Sequence, residues 1–238
     1  MKHMMTAPDF NSTPYWSLPP DTLFKEAGST PDGLSVSAAR ERLARYGRNA
    51  LSPRRHGSGL RMLLSQFTNP LVLILIFAAV VSAVVSEWVD TAIVLTIVLA
   101  SALLSFSQEY SAGQAVEKLR SQVTLKATVL RDGKQVSIQA EEAVPGDIVL
   151  LSAGSLVPAD GIVLEARDFF VSQAVLTGET FPVDKAPGPV SADAPLSART
   201  NMVFMGTSVR SGTARVLITR TGAGTAFGQI AGRLALRP

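Results

Sequence analysis

Two uncharged apolar segments interrupt an otherwise mixed pattern of hydrophobic and polar positions. They cover residues 70–86 and 91–107, and neither contains a charged side chain. A helix of such a segment covers about 25 Å, so flanking residues must extend it to cross a hydrocarbon core of roughly 30 Å. The pattern predicts a two-helix transmembrane hairpin over residues 70–107. A buried hairpin in a soluble core is the alternative, but segments so poor in polar positions disfavour it.

Charges around these segments indicate an orientation. Arg61 precedes the first segment, Lys118 and Arg120 follow the second, and the linker at 87–90 contains two acids and a tryptophan but no lysine or arginine. Because positive flanks are retained on the cytoplasmic side, the linker is expected to face outward. We therefore expect a multi-pass protein of the cell (plasma or inner) membrane, with the lipid bilayer as a partner and both termini cytoplasmic.

Residues 15–69 are predicted to form a cytoplasmic N-terminal helical segment after a mobile tail over 1–14. The spacing at 34–47 predicts a helix that Ser35 caps and Gly47 ends. Its arginines are expected on a solvated face. A second short helix is expected within 18–27. The predicted apolar face contains Val36, Ala39, Leu43 and Tyr46.

Beyond the second apolar segment, helical spacing continues over 108–123 and predicts a cytoplasmic stalk helix. From residue 124 the pattern changes to short β-branched runs separated by turn residues. It predicts a compact, mainly-β domain over 124–222, a sandwich or barrel, followed by a linker helix over 223–238 that leads toward a third span. The expected turns lie at Asp132-Gly133, at Pro145-Gly146-Asp147, at Asp160-Gly161 and at Ser211-Gly212.

Composition narrows the classes of partner. Hydrophobic residues make up 47% of the chain, more than a soluble domain usually needs, and the net charge is only +3. No dense basic tract with interleaved aromatics occurs, so we expect no nucleic-acid partner. The absence of cysteine excludes disulfides and thiolate zinc sites, and His3 and His56 are far apart, so no metal site is expected.

Several short motifs resemble, in order, elements of the actuator domain of P-type cation-transporting ATPases. They are PGDIV at 145–149, VPADG at 157–161, LTGE at 176–179, PVDK at 182–185 and FMGTSVRSGTA at 204–214. The stretch at 33–51 is similar to the cytoplasmic N-terminal segment of cation pumps, NPL at 69–71 to the entry of their first span, and QE at 108–109 to the exit of their second. The resemblance implies that the β domain is a distorted, jelly-roll-like actuator domain.

The resemblance also implies a site in the loop at 177–180. In P-type ATPases an aspartate elsewhere accepts the γ-phosphate of ATP, and the actuator loop promotes hydrolysis of this acyl phosphate. Glu179 would orient and polarise the attacking water, and Gly178 would allow close approach. Thr177 and Thr180 would bond phosphate oxygens or hold the turn. Pro182 and Lys185 are expected to shape and solvate the loop.

Other parts of the pump machinery do not occur in this sequence. The phosphorylation motif Asp-Lys-Thr-Gly-Thr is missing, since the Asp-Lys pair at 184–185 continues into Ala-Pro, and there is no glycine-rich nucleotide loop. We therefore expect the chain alone to bind no cofactor and to transport nothing. ATP and Mg²⁺ are implied for the intact pump. Its phosphorylation domain, nucleotide-binding domain and later membrane helices, in the same or a second chain, would be the partners.

The transported ion and the class of protein have alternatives. The stretches at 168–179 and 201–214 most resemble magnesium-translocating members of the family. Calcium-transporting relatives usually have an acid where Ser172 stands, and calcium or another cation is the alternative. A different class is a two-span membrane adaptor whose β domain binds another subunit without catalysis.

Overall fold

The computed structural model describes residues 14–51, 68, 70–86, 88–122, 125–178 and 180–235. For Leu71 and residues 113–122 it describes the main chain alone. The predicted tail, apart from its last residue, lies outside this range, as does Asn69 of the NPL motif. Internal contacts divide the chain into two units, one formed by Met1–Pro53 together with Leu125–Pro238 and the other by Arg54–Thr124.

The smaller unit contains the two apolar segments as helices that pack against each other. The second helix continues unbroken through the stretch expected to form a stalk. Its part Trp88–Ala112 is long and apolar enough to cross a membrane, whereas Val72–Val84 in the first helix is apolar but shorter. Many large apolar side chains of this unit are exposed. The two helices are α3, Pro70–Val84, and α4, Trp88–Gln122.

The larger unit begins with a 3₁₀ turn, Tyr15–Ser17, and two helices, α1, Pro20–Ala27, and α2, Val36–Tyr46. The predicted ends of α2 are confirmed. The Ala38 N–H donates to Ser35 Oγ over 3.1 Å, and the Gly47 N–H donates to the Leu43 carbonyl. These bonds satisfy backbone groups that the ends of a helix leave without partners inside it.

The expected solvated arginine face of α2 is wrong at Arg42, which is buried. Its guanidinium donates to the carbonyls of Ala27, Gly28 and Pro145 over 2.7 to 2.9 Å. The first two carbonyls lie at the C-terminal end of α1, where unpaired carbonyls attract a cation. Arg42 therefore joins both helices to the turn before a strand, and burial lowers its pKa.

Seven strands form one antiparallel sheet in the order β2-β1-β3-β7-β4-β5, and β6 pairs with β4. A mainly-β domain is thus present, although this strand order does not establish the jelly-roll-like detail. One turn of helix, α5, Ala174–Thr177, lies between β4 and β5, and α6, Ala226–Ala235, follows β7. The strands are β1, Lys126–Arg131; β2, Lys134–Gln139; β3, Ile148–Ser152; β4, Asp160–Ser172; β5, Val183–Asp184; β6, Met202–Val203; and β7, Ser208–Arg220.

Of the expected turns, Asp132-Gly133 does join a hairpin, whereas two others are wrong. Asp132 and Gly133 have φ of 48° and 69°, and they connect β1 to β2. Asp160-Gly161 instead begins β4, where a Cβ on Gly161 would meet Val216 and Leu217 of β7. Ser211-Gly212 lies inside β7, where the pairing register with β4 shifts. Gly161 therefore allows two paired strands to pack closely, and Gly212 allows an irregularity in their pairing. Neither glycine lies in a turn that reverses the chain.

The sheet has a core on each face because neighbouring strand residues point to opposite sides. Val163 and Val216 belong to one cluster, while Ile162 and Leu217 belong to the other. The second cluster also contains Tyr15 and other apolar side chains of the N-terminal turn and α1. The N-terminal segment therefore completes the core of the β domain, and the two form one unit.

Candidate functional site

The candidate loop connects two neighbouring strands at an edge of the sheet. Val171 near the end of β4 pairs with Val183 of β5 on one side and Val209 of β7 on the other. The chain leaves the sheet after Ser172 and returns at Val183, and the loop at 177–180 lies within this connection. Thr177, Gly178 and Thr180 are brought together there, whereas Glu179 lies outside the described residues.

The helical turn α5 sets the direction in which the chain enters the loop. The Gln173 carbonyl accepts the N–H groups of Leu176 and Thr177, and it also accepts the Thr177 hydroxyl over 3.2 Å. The Gly178 N–H donates to the Ala174 carbonyl and ends the turn with φ of 76°. This left-handed conformation favours glycine. A Cβ on Gly178 would meet nothing within 4 Å, so glycine is favoured here by the backbone conformation and not by a lack of space for a side chain.

The tip of the loop is open to solvent, while one side chain anchors its base. Gly178 and Thr180 are exposed, and Phe181 is 84% exposed. Val175 on the preceding turn is also exposed. Leu176 packs against the core cluster that includes the N-terminal segment. The loop therefore combines a fixed base with a tip that a separate surface could reach.

The expectation that Lys185 solvates the loop is wrong, because its side chain is buried. The ammonium group donates to the Arg199 carbonyl over 3.0 Å and lies 5.5 Å from the centre of the Phe204 ring. Burial lowers the pKa of Lys185 to about 8. The main-chain N–H of Lys185 donates to the Phe169 carbonyl, so Lys185 also holds the segment that follows the loop to β4.

Sequence reasoning missed Asp160, which it placed in a turn. The carboxylate is buried and accepts the Met205 N–H over 2.8 Å and the Ala226 N–H over 2.7 Å. Burial raises the pKa of Asp160 to about 6, although these two bonds oppose the shift. Its position between the apolar stretches Val-Pro-Ala and Ile-Val-Leu was the available indication of burial. The burial of Gln173 was also missed, and its type and spacing did not indicate it.

Within the described ranges, no cluster of metal-binding side chains accompanies the loop, and the loop does not line the groove in the sheet. No group of three or more His, Asp or Glu side chains there could hold a metal ion. A groove of about 750 Å³ crosses the sheet and is lined by Glu165, Arg167 and Arg215 among others, but not by the loop residues. Arg215 pairs with Glu165 over 2.8 Å and donates to the Pro31 carbonyl.

Comparison with known families gives the same class that the motifs and the fold indicate. The sequence model of the P-type ATPase actuator domain matches residues 121–235, and that of the cation transporter/ATPase N-terminus matches residues 15–82. Together they account for the N-terminal segment, the first apolar helix and the β domain. The chain belongs to the P-type cation-transporting ATPase family.

Individual relatives extend this result over most of the chain. The chain is 35% identical over 226 residues to the "Magnesium-transporting ATPase, P-type 1" of Escherichia coli K12, covering 92% of this chain and 25% of that protein. It is 36% identical over 198 residues to the "Probable cation-transporting ATPase F" of Mycobacterium bovis, covering 83% and 22%. It is 34% identical to the "Cation-transporting ATPase pma1" of a Synechocystis strain, covering 95% and 25%. The chain thus spans about a quarter of these relatives' length.

Proposed function

We propose that the chain is the N-terminal part of an ATP-driven cation pump and that its loop at 177–180 promotes hydrolysis of an aspartyl phosphate held by another part of the pump. The observation that carries this proposal is the build of the loop. A base fixed between two sheet strands leads to a left-handed Gly178 and an exposed tip at Thr180 and Phe181, and Glu179 follows Gly178 in the sequence. A carboxylate delivered in this way can approach a phosphoryl group on a separate surface.

Each loop residue has a distinct part in the proposed step. The water oxygen forms a bond to phosphorus while the bond from phosphorus to the aspartate oxygen breaks, and Glu179 orients the water and accepts its proton. Gly178 leaves open space beside the main chain. Thr177 holds the turn through its bond to the Gln173 carbonyl, and the exposed hydroxyl of Thr180 can donate to a phosphate oxygen.

The direct test is Glu179→Gln in the intact pump. The amide keeps the size of the side chain but cannot accept a proton, so phosphorylation by ATP should persist while decay of the phosphoenzyme slows by roughly a hundredfold or more. Pulse labelling with radioactive ATP followed by a chase measures both steps.

Glu165→Gln is the matched control, because it makes the same chemical change on an exposed residue of β4. It should leave the decay rate unchanged. If the Glu179→Gln pump lost its phosphoenzyme as fast as the native pump, the proposed role would be wrong, and a non-catalytic adaptor would explain the loop better.

The chain alone is proposed to bind neither ATP nor Mg²⁺ as cofactors, because the motifs for these ligands do not occur in its sequence. The phosphorylation and nucleotide-binding domains and the later membrane helices would act with it, in the same or a second chain. The purified chain should incorporate no phosphate from labelled ATP, and strong incorporation would contradict this division of labour.

Magnesium is the proposed substrate ion. The name of the Escherichia coli relative supports it. The resemblance stated from the sequence also implies it, since Ser172 stands where that resemblance leads one to expect an acid in calcium-transporting members. Expression of the intact pump should restore growth at limiting magnesium to a bacterial strain that lacks its magnesium importers. Restoration of calcium transport alone would assign the pump to calcium instead.

A further inference from the structure

The groove on the sheet lies beside the N-terminal segment. Leu150 of β3 and Arg215 of β7 line this groove, which measures about 750 Å³. Each is two positions from a buried residue of the core cluster that the N-terminal segment completes, Ile148 or Leu217. Because residues two apart in a strand point to the same side, the groove and that cluster share one face of the sheet. The Arg215 guanidinium also donates to the Pro31 carbonyl over 2.6 Å, so the N-terminal segment reaches the edge of the groove.

Three polar side chains from adjacent strands lie side by side in the groove. Thr213 of β7 pairs with Ser152 of β3 on one side and with Arg167 of β4 on the other. All three line the groove, and all three are exposed. Residues directly opposite each other in antiparallel strands have their Cβ atoms about 5 Å apart. This donor row, Ser152, Thr213 and Arg167, therefore offers two hydroxyls and a guanidinium to one molecule.

The charge of Arg167 is not balanced inside the groove. Of the charged residues that line it, Glu165 and Arg215 pair with each other over 2.8 Å. Within the described part of the chain, neither Arg167 nor Thr213 makes a side-chain hydrogen bond or ion pair. The donor row therefore has a net positive charge, which favours an anion.

Arg215 adds a buried donor without an acceptor. Its two terminal nitrogens donate to Glu165 and to the Pro31 carbonyl, whereas its Nε is buried and has no hydrogen-bond partner among the described residues. Buried donors are nearly always paired, with the protein or with a bound species. Arg215 is diagonal to Arg167 across β7 and β4, at roughly 7 to 8 Å, so one ligand can reach both side chains.

The rest of the groove suits an organic molecule rather than a bare ion. Leu150 and Leu164 are half-buried there, and Pro187 is exposed. Sites for small molecules have volumes of roughly 300 to 1,000 Å³ and combine apolar walls with a few polar groups that fix the orientation of the ligand. The groove has both features, and it is much larger than one phosphate or carboxylate group.

We propose that this groove is a binding site for a small organic phosphate. The three terminal oxygens of a phosphate monoester match the three members of the donor row, whereas a carboxylate has only two oxygens. The apolar part of the ligand packs on Leu150 and Leu164. The site shares no residue with the loop at 177–180, so the inference does not depend on the function proposed for that loop.

Phenyl phosphate is a suitable probe because it joins a phosphate to an apolar ring. Isothermal titration calorimetry of the purified chain at constant ionic strength should show saturable binding at one site. Inorganic phosphate, which lacks the ring, and benzoate, which has two oxygens, should each bind about tenfold more weakly. Benzyl alcohol, which has no charge, should show no measurable binding. At a roughly tenfold excess of phenyl phosphate over its dissociation constant, the melting temperature should rise by about 3 to 6 °C.

Arg167→Gln removes the unbalanced charge from an exposed side chain. The melting temperature of this variant without ligand should equal that of the native chain, and its affinity for phenyl phosphate should fall by about tenfold or more. Thr213→Val, which removes one hydroxyl of the donor row, should lower the affinity by about threefold to tenfold. Arg210→Gln is the matched control, because Arg210 is an exposed arginine of β7 that does not line the groove. It should leave the affinity unchanged.

Four results would overturn the inference. The first is the absence of saturable binding of phenyl phosphate. The second is an unchanged affinity in both Arg167→Gln and Thr213→Val, which would mean that the phosphate binds elsewhere on the chain. The third is an equal loss in Arg167→Gln and Arg210→Gln, which would indicate a general attraction of anions to basic side chains. The fourth is binding of benzoate as tight as that of phenyl phosphate, which would contradict the assignment of a phosphate.

Discussion

Several buried charged side chains in the larger unit are held by main-chain atoms that are distant in sequence. Arg42 donates to the end of α1 and to the turn at Pro145, and Lys185 donates to the Arg199 carbonyl. Asp160 accepts N–H groups from Met205 and from Ala226, the first residue of α6. Such groups hold loops and helix ends to the sheet, so the fold should be sensitive to their charge.

Asp160 should give stability a specific pH dependence. Its pKa rises from the ordinary value of 3.8 to about 6, so between these values the folded state retains a proton that the unfolded chain has lost. The unfolding free energy should therefore fall as pH rises through this window and stay level above it. The contribution is about 1.4 kcal/mol per pKa unit, or roughly 3 kcal/mol at most.

Thermal unfolding of the purified chain between pH 4 and 7, compared with Asp160→Asn, isolates this contribution. The amide does not titrate, so the difference between native and variant stability should shrink as pH rises through the window and then stay constant. A difference that grows with pH would mean that the folded state favours the ionised carboxylate and that burial is not the dominant cause.

Residues governed by local rules were predictable, and those governed by distant contacts were not. Ser35 and Gly47 bound α2 because capping depends on a few neighbouring residues. The burial of Arg42 and Lys185 depends on carbonyls supplied by other parts of the chain. The complete burial of Gln173 also depends on tertiary packing that its type and spacing do not indicate.

At the scale of elements, the same dipeptide pattern had different outcomes. Asp132-Gly133 reverses the chain because the strands on either side pair with each other. Asp160-Gly161 and Ser211-Gly212 lie in β4 and β7, which pair with each other along most of their length. A turn signal is therefore decisive only when the pairing of its flanks is known, and that pairing is a tertiary property.

The candidate loop also combines a local feature that the sequence predicts with a tertiary feature that it does not. In the structure Thr177 ends α5, Gly178 follows it in the left-handed conformation that its type permits, and Thr180 is exposed beyond it. The strands that hold the base of the loop, with β5 and β7 on either side of the end of β4, could not be predicted from the motif. The resemblance to the family suggested the chemistry proposed for the loop, and the fold shows which strands hold its base.

At the scale of the whole molecule, the membrane orientation gives a test that suits this sequence. The chain contains no cysteine, so single cysteines can be introduced without a background. Ser86→Cys, between α3 and α4, should react with a membrane-impermeant maleimide in intact cells. Ser211→Cys, in the β domain, should react only after the membrane is permeabilised, because the orientation expected from the positive flanks has that domain in the cytoplasm.

The unchanged chain should remain unlabelled in both conditions. Labelling of Ser211→Cys in intact cells, with protection of Ser86→Cys, would reverse the proposed orientation. Protection of both positions before permeabilisation would contradict an external linker and would leave the apolar helices without the proposed two crossings.

The central claim is that the loop at 177–180 acts on the attack of water at phosphorus. The exchange of oxygen-18 between water and inorganic phosphate measures that step directly in the intact pump, without phosphorylation by ATP. We predict rapid exchange by the native pump and a loss of roughly a hundredfold or more in Glu179→Gln, with Glu165→Gln unchanged. Exchange at the native rate in Glu179→Gln would contradict the account.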